Sequence, residues 1–253
     1  MHVFTCGSPY GIRPCGELAK STKGSLHTEQ NPLKQDGPIA VWGQIRGAGE
    51  LLNGHKEELY RLDHAYIGRN DYYRMTRDDF QPSVVRDRPA DRWNELKKRY
   101  SLNIEPWKKG SKIIVALSMP GTYEFFGVHQ WGKAVISELE KTGRKVVVRQ
   151  RKETRPIKQD LEDAHCLVTY ASNSVIDSLL AGVPVFVAGP SIARPIAGKW
   201  LDVNNPVYPD REVFMRHVAY CQYTLEEFRS GFAITKANEN VYWDTATVFS
   251  QAA

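Results

Sequence analysis

The chain has 253 residues, 42% hydrophobic and 25% charged, a balance that excludes a disordered chain, a collagen and a coiled coil. Basic residues outnumber acidic ones by 34 to 29, a net charge of +5. The excess is concentrated in residues 141–158, where eight Lys and Arg side chains stand against Glu153 alone, a pattern that suits phosphate groups on a nucleotide or a nucleic acid.

In chain order, residues 2–6 read as an opening strand and 38–42 as a second, with a long Gly/Pro/Ser-rich loop, 7–37, between them. The loop 43–47 leads into a short helix, and 62–67 form a third strand. Residues 69–99, dense in Arg and Asp, read as a connection ending in a helix over 91–100, with Asp91 as its N-cap and Lys97, Lys98 and Arg99 at its C-terminus. Beyond it, strand-sized apolar runs at 112–117, 145–148, 165–169 and 184–188 alternate with helical patterns. Val135, Ile136 and Leu139 share one helix face, and Val175, Ile176, Leu179 and Leu180 another. Apolar strands alternating with amphipathic helices predict a parallel sheet covered on both faces. The expected architecture is therefore α/β, with two successive units: 1–88, 89–235 and a tail at 236–253.

Several classes are set aside. The longest apolar runs are far shorter than the roughly 18 residues of a membrane span, and the N-terminus lacks a basic n-region and an apolar h-region. A cytoplasmic protein without membrane insertion is expected. Cys6, Cys15, Cys166 and Cys221 form no CxxC pair, and the seven histidines form no HExxH, so no metal site is expected. His129 and Trp131 read as structural.

In a parallel sheet ligands bind beyond the carboxyl ends of the strands, which directs attention to the residues after each apolar run. The stretch 169–185 ends a strand, opens a helix with Ser172, Asn173 and Ser174, and closes it at Gly182. Hydroxyls and free N–H groups there suit a diphosphate, and Asp177 one turn on suits ribose hydroxyls. The same residues also serve as helix caps and a dipole-complementing acid, and chemistry alone leaves both readings open. After the strand at 145–148 come Arg149 and Arg151, cations for a diphosphate leaving group. After the strand at 112–117 come Ser118, Gly121 and Thr122, which allow close phosphate approach.

The serine-rich helix start with its acid and the ending Leu179-Leu180-Ala181-Gly182-Val183-Pro184-Val185 resembles the carboxyl-terminal half of GT-B glycosyltransferases. The resemblance spans residues 112–194 and is thin before residue 100. It implies two Rossmann-like units facing a cleft, with a reduced first domain. It also implies a nucleotide sugar (a UDP-sugar) as co-substrate, no tightly bound cofactor, and Ser172, Asn173, Ser174 and Asp177 as donor contacts. The family's usual acid is glutamate, and its post-strand motif more often reads Arg-Pro-His-Pro, where this chain has Val148-Arg149-Gln150-Arg151-Lys152.

An inverting hexosyltransferase needs a base on the acceptor side. Asp63 is the first choice, because it breaks a strand-like run with an ionisable group; His64, Glu17 in the glycine-rich loop and Glu50 are the others. Residues 63–76 also resemble phage-encoded glycosyltransferases, which implies hydroxymethylated pyrimidines in DNA as the acceptor. On that reading Arg69, Arg74 and Arg77 bind DNA phosphates and Tyr72 and Tyr73 stack on a flipped base. The alternatives are a transferase acting on an envelope glycan or small acceptor, and a non-catalytic nucleotide- or DNA-binding accessory protein.

Overall fold

Two sheets organise the chain in the computed structural model, which describes residues 1–44, 47–150 and 154–240. The first unit opens with β1 (His2–Phe4), α1 (Ile12–Ser21), β2 (Ser25–His27), β3 (Ile39–Trp42), α2 (Ala48–Leu52), β4 (Leu59–His64) and β5 (Tyr72–Arg77). Strands β2, β1, β3 and β4 are parallel neighbours in that order, and β5 adds to β4 antiparallel. Alternate residues face opposite cores, as the pleat requires. Val3, Ala40, Trp42, Tyr60 and Leu62 lie on one side, and Phe4, Ile39, Val41 and Leu59 on the other.

The segment 7–37 is thus not one loop. Cys15, Leu18 and Ala19 recur at helical spacing and are buried, so α1 forms despite the glycines around it. The strand expected at 62–67 begins earlier, at Leu59, and stops at His64. Strand β5 occupies part of the expected connection. Its Tyr73 and Met75 face the core while Arg74 and Arg77 interrupt the apolar signal.

After α3 (Asp91–Tyr100), where Asp91 is the first helical residue and accepts a hydrogen bond from the Tyr220 hydroxyl at 2.7 Å, the chain enters the second unit. This contains β6 (Lys112–Ala116), α4 (Pro120–Phe125), α5 (Trp131–Glu140), β7 (Val146–Arg149), α6 (Ile157–Leu161), β8 (Ala164–Thr169), α7 (Ser174–Leu180) and β9 (Val185–Val187). The sheet is wholly parallel, in the order β7-β6-β8-β9. Ile113, Val115, Cys166 and Val168 pack on one face, and Ile114, Ala116 and Leu167 on the other. Both faces are covered, which is why these strands read as continuous apolar runs.

The end of α7 requires glycine. Gly182 has φ +75°, and a Cβ there would lie 2.0 Å from the Pro106 carbonyl oxygen. The strap that approaches so closely donates from Glu105 N to Leu180 O at 2.8 Å and from Lys108 N to Gly182 O at 2.7 Å.

The chain then returns. Beyond α8 (Arg211–Ala219), strand β10 (Gln222–Thr224) pairs antiparallel with β5, and α9 (Leu225–Arg229) and α10 (Phe232–Glu239) follow. Tyr223, Phe228, Ala233 and Ala237 share a core with Val3, Leu18 and Tyr60. The sheets therefore divide differently from the expected 89–235 and 236–253: residues 222–239 complete the first unit. A three-residue strand and two short helices carry too little periodicity to announce this. None of the described helices is long and apolar enough to cross a membrane.

Candidate functional site

The carboxyl ends of β4 and of β6, β7 and β8 face one cleft of ≈ 550 Å³, the position the parallel-sheet rule anticipates. Two contacts lock the units around it. The Gln44 side-chain amide donates to Thr122 Oγ1 at 3.2 Å, and Phe80 meets Phe125 and Phe126 edge-on. Phe125 also packs against the first unit's core around α2.

The second unit supplies one wall. Ser118, Thr122, Arg149, Ser172, Asn173, Ser174 and Asp177 all line the cleft, although three separate segments carry them. Thr169 joins two of these segments: its hydroxyl donates to Ala116 O at 2.6 Å and accepts from Ser172 N at 3.2 Å. Ser172 Oγ accepts from the Ser174 hydroxyl at 2.9 Å, so its own proton is available to a ligand oxygen. The Ser118 hydroxyl, buried at the wall, has no hydrogen-bond partner among the described residues. Gly121 lies in the first turn of α4 and is not part of the cleft lining. Asp177 is open to solvent, yet the enclosing walls raise its carboxyl above the ordinary range, against the nearby charge of Arg149. Arg151 lies outside the described residues.

Arg149 is held firmly. Its guanidinium pairs with Asp160 Oδ2 at 2.7 Å and donates to the Arg155 carbonyl at 2.7 Å. Cation, hydroxyls and a carboxylate on one wall suit an anionic, hydroxyl-bearing ligand such as a nucleotide.

The first unit supplies the facing wall: Asp63, His64, the turn 65–69, Arg74 and Gln81. Asp63 closes β4. Its Oδ2 pairs with Arg74 at 2.8 Å and its Oδ1 accepts from His64 N at 2.7 Å. Burial disfavours the charge on Arg74, but Asp63 and Tyr66 more than offset it, so the guanidinium pKa lies above its usual value. The His64 ring sits edge-on to Trp42 and Tyr10, with centroids 5.2 Å away in each case. The turn is fastened from β10: the buried Gln222 amide accepts from Tyr66 N and Ile67 N and donates to Ile67 O, at 2.9–3.1 Å.

Other candidates fall elsewhere. Glu17 lies in α1, where bonds from Arg229 and Lys20 tie it down and hold its carboxyl below the usual range. It links α1 to α9. Glu50 is exposed on α2, away from the cleft lining. Among the residues read as a DNA surface, Tyr72 and Tyr73 are 4% and 6% exposed. Neither ring has a free face for a base. Arg77 pairs with Glu58 at 2.7 Å and Arg74 with Asp63, while Arg69 lines the cleft. Tyr72 and Tyr73 point to opposite faces of β5 and enter two different cores, and the half-buried Arg74 and Arg77 are held by carboxylates.

Sequence reasoning missed Asp160, Gln222 and Gln44, whose roles arise from contacts between distant segments. Only the Arg-rich setting of Asp160 gave any local hint.

No family model and no curated protein matches the sequence. Among solved structures, the chain is similar to Thermosulfurimonas dismutans KpsC, beta Kdo 2,7 transferase, at TM-score 0.54 and 13% identity, over 94% of this chain and 99% of that one. It is also similar to the same organism's KpsC, beta Kdo 2,4 transferase, at TM-score 0.50 and 11% identity, over 86% and 90%. At such identities the likeness establishes the fold: two Rossmann-like units facing a cleft, in the GT-B-like arrangement.

Proposed function

We propose that the chain is a glycosyltransferase that moves a sugar from a nucleotide-activated donor to a hydroxyl of a glycan. The observation that carries this reading is the two-walled cleft: a fixed arginine with serine and threonine hydroxyls on one side, a carboxylate and an imidazole on the other. The donor's phosphate lies against Arg149, Ser172 and Ser174, with Asp177 toward its sugar hydroxyls. Asp63 takes the proton of the acceptor hydroxyl, whose oxygen attacks the anomeric carbon as the bond to the phosphate breaks. Negative charge then develops on the departing nucleotide, where Arg149 and the hydroxyls stabilise it. This single displacement inverts the anomeric centre.

The glycan acceptor is favoured over DNA because the similar structures bear the names of Kdo transferases, and because the tyrosines available for base stacking are in the core. The test incubates purified protein with a panel of nucleotide sugars, nucleotide-activated Kdo included. The panel is offered against oligosaccharide acceptors and against hydroxymethylated DNA, with products read by mass spectrometry. A sugar-sized mass gain on an oligosaccharide is expected. A gain on DNA alone would restore the nucleic-acid acceptor, and no transfer or donor hydrolysis with any pair would remove the enzyme reading.

A further inference from the structure

Asp160 has no place in the chemistry above, yet it is among the few buried charged groups of the described residues, at 7% exposure. It lies in α6, behind the cleft wall, and both its oxygens are engaged. Oδ2 pairs with Arg149 Nη1 and Oδ1 with Arg155 Nη2, each at 2.7 Å. The second Arg149 nitrogen donates to the backbone carbonyl of Arg155. The guanidinium is thus gripped from two directions, and its remaining N–H groups are left for the cleft it lines.

We propose that Asp160 is a positioning residue that aims Arg149 at the donor phosphate, an inference that rests on the glycosyltransferase reading. The alternative role for such a carboxylate is simple neutralisation of excess positive charge, and the two roles predict opposite signs. A negative charge this close to a phosphate-binding cation weakens the positive potential that attracts the phosphate. If charge alone mattered, Asp160→Asn would tighten phosphate binding. Arginine, however, is a long side chain whose planar fork discriminates only when held in one orientation. Without its anchor, Arg149 is free to sample rotamers that miss the phosphate, and binding weakens although the site has become more positive. Arg155 supplies the second cation of the cluster, on the other oxygen of Asp160. It does not line the cleft.

The test measures binding of uridine and cytidine mono- and diphosphates by calorimetry, then steady-state transfer with the best donor. Asp160→Asn is expected to weaken nucleotide binding about tenfold or more, within the range that misplacement of a positioned group costs. The KM for donor should rise while that for acceptor stays within about twofold. In an Arg149→Ala background the same substitution should add almost nothing, because the group it positions is gone; a merely structural carboxylate would cost the same in both. Arg155→Ala loosens the same ion cluster from its exposed side and is expected to leave nucleotide affinity within about twofold. Arg149→Lys retains the charge without the fork, so it should lose affinity too, and it decides the matter if Asp160→Asn does not fold. Tighter or unchanged binding by Asp160→Asn, or full affinity in Arg149→Lys, would overturn the proposal. If the wild type binds none of the nucleotides, it is the glycosyltransferase reading that fails.

Discussion

Asp63 and His217 show how differently two ionisable groups behave in this molecule. Asp63 stands at the end of a strand with one oxygen on Arg74 and the other on a backbone amide, and still lines the cleft. Asp63→Asn keeps its shape and removes ready proton acceptance. Transfer should fall about 10²- to 10⁴-fold while nucleotide affinity, measured by calorimetry, stays near wild type. Transfer at the wild-type rate would leave Asp63 as only the counter-charge of Arg74. His217 is 1% exposed and far from this chemistry, its Nδ1 accepting from Arg86 N at 3.3 Å. Burial, helped by Arg88 and Arg86, pushes its pKa from 6.5 down to about 4. Above pH 6.5 both folded and unfolded states hold it neutral. Between 6.5 and about 4 the unfolded chain binds a proton that the folded one refuses, so stability falls as pH falls. Denaturant titrations from pH 7 to 4.5 should show a steeper loss in wild type than in His217→Asn, which keeps an acceptor for Arg86. Equal slopes would assign the acid sensitivity to other groups.

Among the elements, the α7–β9 junction makes the sharpest prediction. Gly182 combines a left-handed backbone with a strap that leaves no room for a methyl group. Gly182→Ala should cost more than the ~1–2 kcal/mol of the left-handed conformation alone, read as a lowered melting temperature. An unshifted transition would mean that the strap yields freely. This junction was legible in the sequence because helix, glycine and strand follow one another within a few residues, and the same holds for β6, β7 and β8. What stayed hidden has a common cause. Strand β5 carries Arg74 and Arg77 among its buried residues, and these arginines find carboxylates on or beside β4, so its polarity reads as an exposed surface. Helix α1 is short and flanked by glycines, and its apolar face counts only once Phe228 and Tyr223 are brought against it from some 200 residues away. The wall built by the second unit was legible for the reason β6–β8 were: its residues lie at or just beyond the ends of those strands. On the facing wall Asp63, His64, Arg69 and Arg74 stood out in the sequence, whereas Gln222 and Gln44 act through contacts that sequence spacing does not encode.

At the scale of the molecule, the returning segment 222–239 ties the two units together. Its strand extends the first sheet, α9 packs on α1 and α10 on β5, and Gln222 fastens the turn that lines the cleft. Arg92 of α3 pairs with Glu227 of α9, joining that segment to the connection between the units as well. Truncation after Cys221 should therefore unsettle the first unit and spare much of the second. In hydrogen exchange, amides of β1, β3 and β4 should lose protection while those of β6 and β8 retain it. Uniform loss, or none, would show that the segment is not what completes the first sheet. The same topology sets an order on the ribosome. Strands β1–β5 emerge well before residues 222–239, which cover their apolar face. The second sheet, whose strands all lie within residues 112–187, can close while the first is still waiting. The sheet made before the second one thus waits longer for its cover, and through that interval its bare apolar face and the unpaired edge of β5 are open to the cell's chaperones and to its neighbours on the polysome.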